Sequence, residues 1–398
     1  KYRNRSMKLR KEIWNKVKIE NVASIIGGGT PSRSNPNYFK GDILWIGPTE
    51  IPKDRIRIIS ETNEKLTSEA IQKSSAKILP IGTILFTTRA TVGEVAIAGK
   101  EIATSQSLEN FVCNPDKIDN WYLAYWLKGN QRLIHSLSAG TTFKGITRNI
   151  LAKIEIPLPP LEEQKQIAAL FQSIETTMEQ VDGQEKKLKA LWKKLIDEFV
   201  SDKPSFGNLL KDKKLKTYNY CEVTEKLMRK IDPLTYGIER IVAGKNLESE
   251  DFKIRTWQKV GEGYLGPAFH VLFKAGDILY GSRRTYLRKV SHADFDGVCA
   301  NTTYVIRANE ELLLQDLLKH IMLSKRFTQY SIGVSKGSTN PYINWKDLDN
   351  FSFHVPDLET QRDIINVLDG ILQIVEQLKQ QKTTLKHLKQ KLLNEILG

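Results

Sequence analysis

Three cysteines in 398 residues, Cys113, Cys221 and Cys299, are too few and too scattered for a disulfide framework or a zinc ribbon, and they read as buried apolar residues. Long apolar runs are missing as well. No stretch approaches the ~20 apolar residues that a bilayer-spanning helix needs, and the basic segment Lys1–Lys11 is followed by no signal-peptide core, so a cytoplasmic protein with no membrane partner is expected. The histidines, among them His135, His270, His292 and His320, have no metal-ligand spacing, and no metal is implied. The nearest thing to a phosphate-binding loop, Gly93 to Gly99-Lys100-Glu101, has one residue too many between its glycines. It also puts Glu where Ser or Thr would meet magnesium, and reads as a hairpin. No glycine-rich loop after a strand suits a methyl donor. The run Glu185-Lys186-Lys187 after Asp182 reads as the solvated face of a helix. The expectation is a chain that is not an enzyme and holds no cofactor of its own.

What is present is positive charge and a repeat. Lys and Arg outnumber Asp and Glu by 60 to 46, a net charge of +14, which favours a polyanion as partner. Leu161-Glu-Glu-Gln164 recurs as Leu358-Glu-Thr-Gln361, and the same register carries Pro159 to Pro356, Ser138 to Ser335, Gly140 to Gly337, Ile146 to Ile343 and Leu151 to Leu348. After a short indel, Pro80-Ile-Gly-Thr-Ile-Leu-Phe matches Lys274-Ala-Gly-Asp-Ile-Leu-Tyr, and Arg89 aligns with Arg283. Upstream of Pro80 and Lys274 the likeness disappears. The first copy has Gly27-Gly-Gly-Thr-Pro-Ser-Arg-Ser-Asn-Pro and the second does not, which implies a different subtype of domain.

Each copy passes from short strands to one long helix. Ile43–Ile46, Thr83–Thr88, Glu94–Ala98 and Ile154–Leu158 are short, apolar or β-branched and bounded by turn residues. Asn120–Leu137 and Glu311–Ile332 have helical periodicity, and Trp121, Tyr122, Tyr125 and Trp126 at that spacing read as core. Pro159-Pro160 followed by Glu162 and Glu163 opens the first long helix, as Pro356-Asp357-Leu358-Glu359 opens the second. A heptad seam runs through Ile167, Phe171, Ile174, Met178, Val181, Glu185, Leu188, Trp192, Leu195 and Phe199, and is repeated from Ile364 to Ile396. The fold class is α+β: two strand-rich globular domains joined by two long helices with coiled-coil seams. The divisions fall at residues 1–157 and 203–354 for the domains and 158–202 and 355–398 for the helices. Antiparallel pairing of Ile167 with Ile396 and of Phe199 with Ile364 sets Val181 opposite Lys382 and Glu185 opposite Leu378. The opposite charges of Glu185 and Lys382 would then compensate one another in adjacent layers.

The junction Ile156-Pro-Leu-Pro-Pro-Leu-Glu-Glu-Gln-Lys-Gln-Ile167, its echo Val355-Pro-Asp-Leu-Glu-Thr-Gln-Arg-Asp-Ile364, and Gly28-Gly-Thr-Pro-Ser-Arg-Ser-Asn-Pro followed by Gly41-Asp-Ile-Leu-Trp45 resemble the specificity subunits of type I restriction-modification systems. The resemblance spans essentially the whole chain. It implies two target-recognition domains in pseudo-twofold arrangement, each reading one half of a bipartite site in double-stranded DNA, with the two long coiled-coil helices packed antiparallel and setting the spacer. It also implies two modification (methyltransferase) subunits docked on those helices and restriction subunits joining them. S-adenosylmethionine, ATP and Mg would then belong to the partners, and host defence and DNA methylation to the assembly.

A DNA reader needs cations for phosphates and short or forked polar side chains for base edges. In the first domain Thr30, Ser32, Arg33 and Asn35, then Thr88, Arg89 and Thr91, then Thr141, Thr142, Lys144 and Arg148 fit this chemistry on loop-like segments. In the second, Arg283, Arg284 and Tyr286 and then Lys336, Ser338, Thr339 and Asn340 do so. The same residue types also make turns, and Arg often makes structural ion pairs. Three alternatives, a self-contained enzyme, a coiled-coil scaffold and a stand-alone DNA-binding protein without restriction partners, differ in what they predict for nuclease or methylation activity of the chain alone, for salt-dependent DNA binding and for subunit assembly.

Overall fold

The computed structural model describes residues 11, 14–89, 91–138, 145–262 and 268–398. The chain falls into two compact units, one of residues 1–182 with 380–398 and the other of residues 183–379. The first long helix, Leu161–Phe199, and the second, Leu358–Leu392, each contribute a segment to both units.

In the first unit the strands are β1 (Asn15–Lys18), β2 (Ala23–Gly27), β3 (Ile43–Ile46), β4 (Ile58–Ile59), β5 (Glu64–Leu66), β6 (Ile84–Thr87), β7 (Val95–Ala98), β8 (Ile102–Thr104), β9 (Leu108–Cys113) and β10 (Glu155–Leu158). They form a five-stranded sheet β2-β9-β6-β7-β4, a three-stranded sheet β5-β3-β8 and the pair β1-β10. The two-residue alternation of a strand sorts the core. Ile84 and Phe86 face the helix Asn120–Gly129, whose Tyr122, Tyr125 and Trp126 are buried as expected, whereas Leu85 joins Leu44 and Ile46 in a second cluster. Ile167 and Phe171 of the first long helix and Leu393, Ile396 and Leu397 of the chain end complete the first cluster.

The second unit holds β11 (Lys216–Asn219), β12 (Thr224–Leu227), β13 (Arg240–Val242), β14 (Gln258–Lys259), β15 (Phe269–Phe273), β16 (Ile278–Gly281), β17 (Val290–His292), β18 (Gly297–Ala300), β19 (Thr303–Ala308) and β20 (Ser352–Val355). Its sheets are β12-β19-β16-β17, β14-β13-β18-β15 and β11-β20. The central connectivity repeats that of the first unit, while β4 extends a sheet only in the first and β15 only in the second. β12-β19-β16-β17 matches β2-β9-β6-β7, and the parallel pair β13-β18 matches β3-β8. The two units thus share their central strands although the second lacks the Gly-Gly-Thr-Pro segment, and differ at the sheet edges. That segment solves a local problem: a Cβ on Gly28 would lie 2.0 Å from the Ser105 carbonyl, and one on Gly29 2.2 Å from the Ala76 nitrogen.

Local differences from the sequence reading have local causes. Asn120–Leu137 breaks into Asn120–Gly129 and Gln131–Ser138 because the Asn130 amide donates to the Trp126 and Leu397 carbonyls. Glu311–Ile332 resolves into Gln315–Ile321 and Lys325–Gly333, the second capped by Ser324. Cys299 is buried and Cys113 half-buried, its thiol pushed up to about 12 by burial, but Cys221 is exposed. Gly93 sits at φ +93° between β6 and β7, in the turn of a hairpin.

The repeated motif at the helix entrance has a definite mechanical role. Gln164 is fully buried, and its amide donates to the Pro159 and Lys117 carbonyls while its oxygen accepts the Asp119 N–H at 2.8 Å. Gln361 does the same with Pro356, Leu312 and Leu314. In each unit one glutamine ties the start of a long helix to the turn before the domain's own helix.

Candidate nucleic-acid interface

Arg89 and Arg283 leave the ends of β6 and β16 on the same backbone device. The Thr88 N–H and hydroxyl both donate to the Ser107 carbonyl, at 2.9 and 3.0 Å, and the Thr88 carbonyl accepts the Ile146 N–H. The Ser282 N–H and hydroxyl both donate to the Thr302 carbonyl, at 3.0 and 2.7 Å, and the Ser282 carbonyl accepts the Ile343 N–H. One residue on, Arg89 bridges to Gly145 and Arg283 to Tyr342. Both arginines are exposed, and among the described residues no carboxylate pairs with either guanidinium.

Around Arg283 the structure collects most of the residues expected there. The Lys336 and Tyr342 backbones exchange hydrogen bonds of 2.8 and 2.9 Å across a loop that turns at Gly337, φ +88°, and exposes Ser338, Thr339 and Asn340. Arg284, in the left-handed region at φ +52°, donates its N–H to the Pro341 carbonyl and its Nε to Asn340 Oδ1. Lys336 makes an exposed pair with Asp347 at 3.2 Å, and Tyr286 is exposed without being packed. Sequence reasoning missed Tyr342, which is 44% exposed beside Arg283. Its only signal is its place after a turn-rich segment, and that is weak.

The first unit uses its expected residues more unevenly. Thr88 is buried, and its hydroxyl is consumed by Ser107, so its role is to set the direction of Arg89 rather than to meet a base. Arg33 is held bidentate by Glu64 and lies over Phe39 with its guanidinium carbon 4.2 Å from the ring centre; the Arg33 hydrogen bond holds the Glu64 carboxyl below its usual range. Asn35 caps the turn Pro36–Phe39, Ser32 bonds Ser34, and Thr30 accepts the Gln106 N–H at 3.3 Å. Arg148 is clamped by Glu109 across Gly27, where a Cβ would collide with the guanidinium at 2.1 Å. The Thr91 hydroxyl is enclosed without a partner among the described residues. Thr141, Thr142 and Lys144 lie outside the described residues.

The family model of the type I restriction modification DNA specificity domain matches residues 11–190 and again 211–387. The chain belongs to this family. It is 26% identical over 416 residues to the type I restriction enzyme MjaIX specificity subunit of Methanocaldococcus jannaschii, across 96% of this chain and 92% of that one. It is 26% identical over 300 residues to the EcoDI specificity subunit of Escherichia coli, across 68% and 67%. Two solved structures share the fold: one described under complex assembly and conformational transition of the type I R-M system, with a TM-score of 0.60, 19% identity and 96% and 97% coverage. The other is the type I S subunit from M. genitalium, with a TM-score of 0.58, 14% identity and 99% and 96% coverage. Among the described residues no helix of this family member is long and apolar enough to cross a membrane, and no His, Cys, Asp and Glu group could hold a metal.

Proposed function

We propose that the chain is the DNA-reading subunit of a type I restriction-modification complex, that each unit reads one half of a bipartite site, and that the chain itself performs no chemistry. The observation that carries this reading is the repeated device at Thr88-Arg89 and Ser282-Arg283, which projects an exposed guanidinium, paired with no carboxylate among the described residues, from the same place in both units. A forked, permanently charged group held this way suits either a guanine edge or a phosphate. The net charge of +14 supports a polyanionic partner. By family, modification subunits, two of them, dock on the long helices, restriction subunits join, and S-adenosylmethionine, ATP and Mg belong to those partners, in the cytoplasm. The test is DNA binding by the chain reconstituted with its modification subunits, measured against salt concentration. Specific binding with a salt slope that reflects several phosphate contacts is expected. Binding indifferent to sequence and salt would reject the reading in favour of a protein scaffold.

A further inference from the structure

Two long helices carrying the same apolar seam have a pairing ambiguity. Ile167, Phe171, Ile174, Met178 and Val181 recur as Ile364, Leu368, Ile371, Val375 and Leu378, so on apolar grounds either helix could pair with a second copy of itself from another chain. The polar residues along the seam remove that freedom, and they differ between the two units at equivalent positions.

In the first unit the Glu175 carboxylate is buried on the first long helix. It accepts from Tyr125 Oη at 2.9 Å, from the Ile56 N–H at 3.3 Å and from the buried ammonium of Lys389 on the second long helix. The Tyr125 phenol is pushed up, first by burial and then by Glu175, so it remains a donor. In the second unit the place of Tyr125 is taken by His320, and the place of Lys389 by Trp192. The indole N–H donates to His320 Nδ1 at 3.3 Å, so Nε2 carries the ring hydrogen and donates to Asp369 at 2.9 Å. Asp369 also accepts from Lys319 at 3.0 Å. One node is a carboxylate-ammonium pair and the other a neutral imidazole-indole contact.

A second layer has reversed charge. Asp182 pairs with Lys382 and, at 3.0 Å, with Arg55. The positions equivalent to Asp182 and Lys382 in the other unit are Lys379, which pairs with Asp251 at 3.5 Å, and Glu185, which pairs with Lys189 at 2.7 Å, so by register the first helix is acidic and the second basic at both positions. If a second copy's first helix took the place of residues 380–398, its Glu185 would face Asp182 and its Trp192 would take the ammonium's place beside Glu175. If a second copy's second helix took the place of residues 183–199, its Lys382 would face Lys379 and its Lys389 would take away the indole donor from His320.

We propose that Glu175, Asp182, Glu185, Trp192, Lys379, Lys382 and Lys389 form a pairing code by which the two long helices of one chain select each other and reject a second copy of themselves. Buried charges that lose their partner are costly, whereas the repeated apolar seam is indifferent to the exchange. The code thus keeps one copy of each domain together in a single chain.

The test exchanges the keys between helices in the full-length chain. A fourfold variant, Glu185→Lys, Trp192→Lys, Lys382→Glu and Lys389→Trp, makes each helix complementary to itself. After unfolding and refolding at matched concentration, its dimer fraction by light scattering should rise several-fold over that of the unaltered chain. The twofold variant Glu185→Lys with Lys382→Glu, at partly exposed positions, should shift in the same direction and still fold. Single Lys382→Glu, which places a carboxylate against Asp182 and makes only the second long helix self-complementary in that layer, should lower stability and raise the dimer fraction less than the twofold variant does. A twofold variant that refolds with an unchanged dimer fraction overturns the proposal, whether or not the fourfold variant folds.

Discussion

An arginine's partners decide what removing it will do. Arg33 and Arg148 are spoken for by Glu64 and Glu109, and Arg148 also covers Gly27, so their loss is a loss of packing and local order as much as of charge. Arg89 and Arg283 have no carboxylate partner among the described residues, so replacing them strands no carboxylate there. Arg89→Ala and Arg283→Ala should therefore leave the unfolding midpoint nearly unchanged. Each should weaken specific DNA binding by about 1–3 kcal/mol if the guanidinium is bidentate to guanine, with the loss confined to one base position. A uniform loss across sequences with a shallower salt slope would make the contact a phosphate, and unaltered binding would remove the residue from the interface. Nothing in the sequence separates Arg33 from Arg89, because the acid that neutralises Arg33 lies 31 residues away, at the start of β5.

At the scale of the element, the glutamine at each helix entrance predicts a measurable defect. Gln361→Leu would strand the Leu314 N–H and the Leu312 and Pro356 carbonyls in a dry site, at about 1–3 kcal/mol for a buried group left unsatisfied. Urea unfolding should show that loss, and a midpoint like that of the unaltered chain would deny the glutamine its role. His320 gives these elements a pH dependence. Burial, the largest influence, holds its proton affinity below the ordinary 6.5 despite Asp369. The unfolded chain takes up a proton below 6.5 that the folded unit refuses, so the contribution of neutral His320 is full above 6.5 and is lost as pH falls from there through the lower folded value. His320→Gln should flatten that part of the midpoint's pH profile; an equally steep profile would sink the assignment. The long helices, the strands Ile43–Ile46 and Glu155–Leu158 and the core face of Tyr122, Tyr125 and Trp126 were legible because periodicity and proline-acid starts are local signals. The polar nodes were not. Lys389 stands in the seam as an apparent interruption, and only its approach to Glu175, 214 residues away, shows why it is there. Lys382 meets Asp182, the neighbour of the Val181 expected opposite it, while Glu185 pairs along its own helix with Lys189 at 2.7 Å.

For the molecule as a whole, the repeated plan implies that its reading parts are exchangeable. In the first unit β1 pairs with β10, Asn15 opposite Leu158, so the domain's two chain ends leave side by side next to the helix entrance; β11 and β20 do the same in the second, Lys216 opposite Val355. A segment bounded this way can be replaced without altering the path of the helices, provided that the substitute keeps what the helices touch. The residues to keep include Tyr125 and the Ile56 N–H for Glu175, Arg55 for Asp182, Asn130 for the Leu397 carbonyl, and the turn whose Asp119 N–H and Lys117 carbonyl receive Gln164. Replacing Tyr2 to Glu155 by the corresponding part of a relative that keeps these contacts, a tyrosine at the Tyr125 position among them, should therefore yield a folded chain. In cells it should change one half of the methylated sequence and leave the other half and the spacer as they were. Methylome sequencing of cells carrying the exchanged chain reads all three at once. Change in both halves would mean that the units do not read independently, and a changed spacer would mean that the helices do not alone set it. A graft lacking that tyrosine separates folding from reading, because it leaves one Glu175 oxygen without its phenol and should lose stability before it loses specificity.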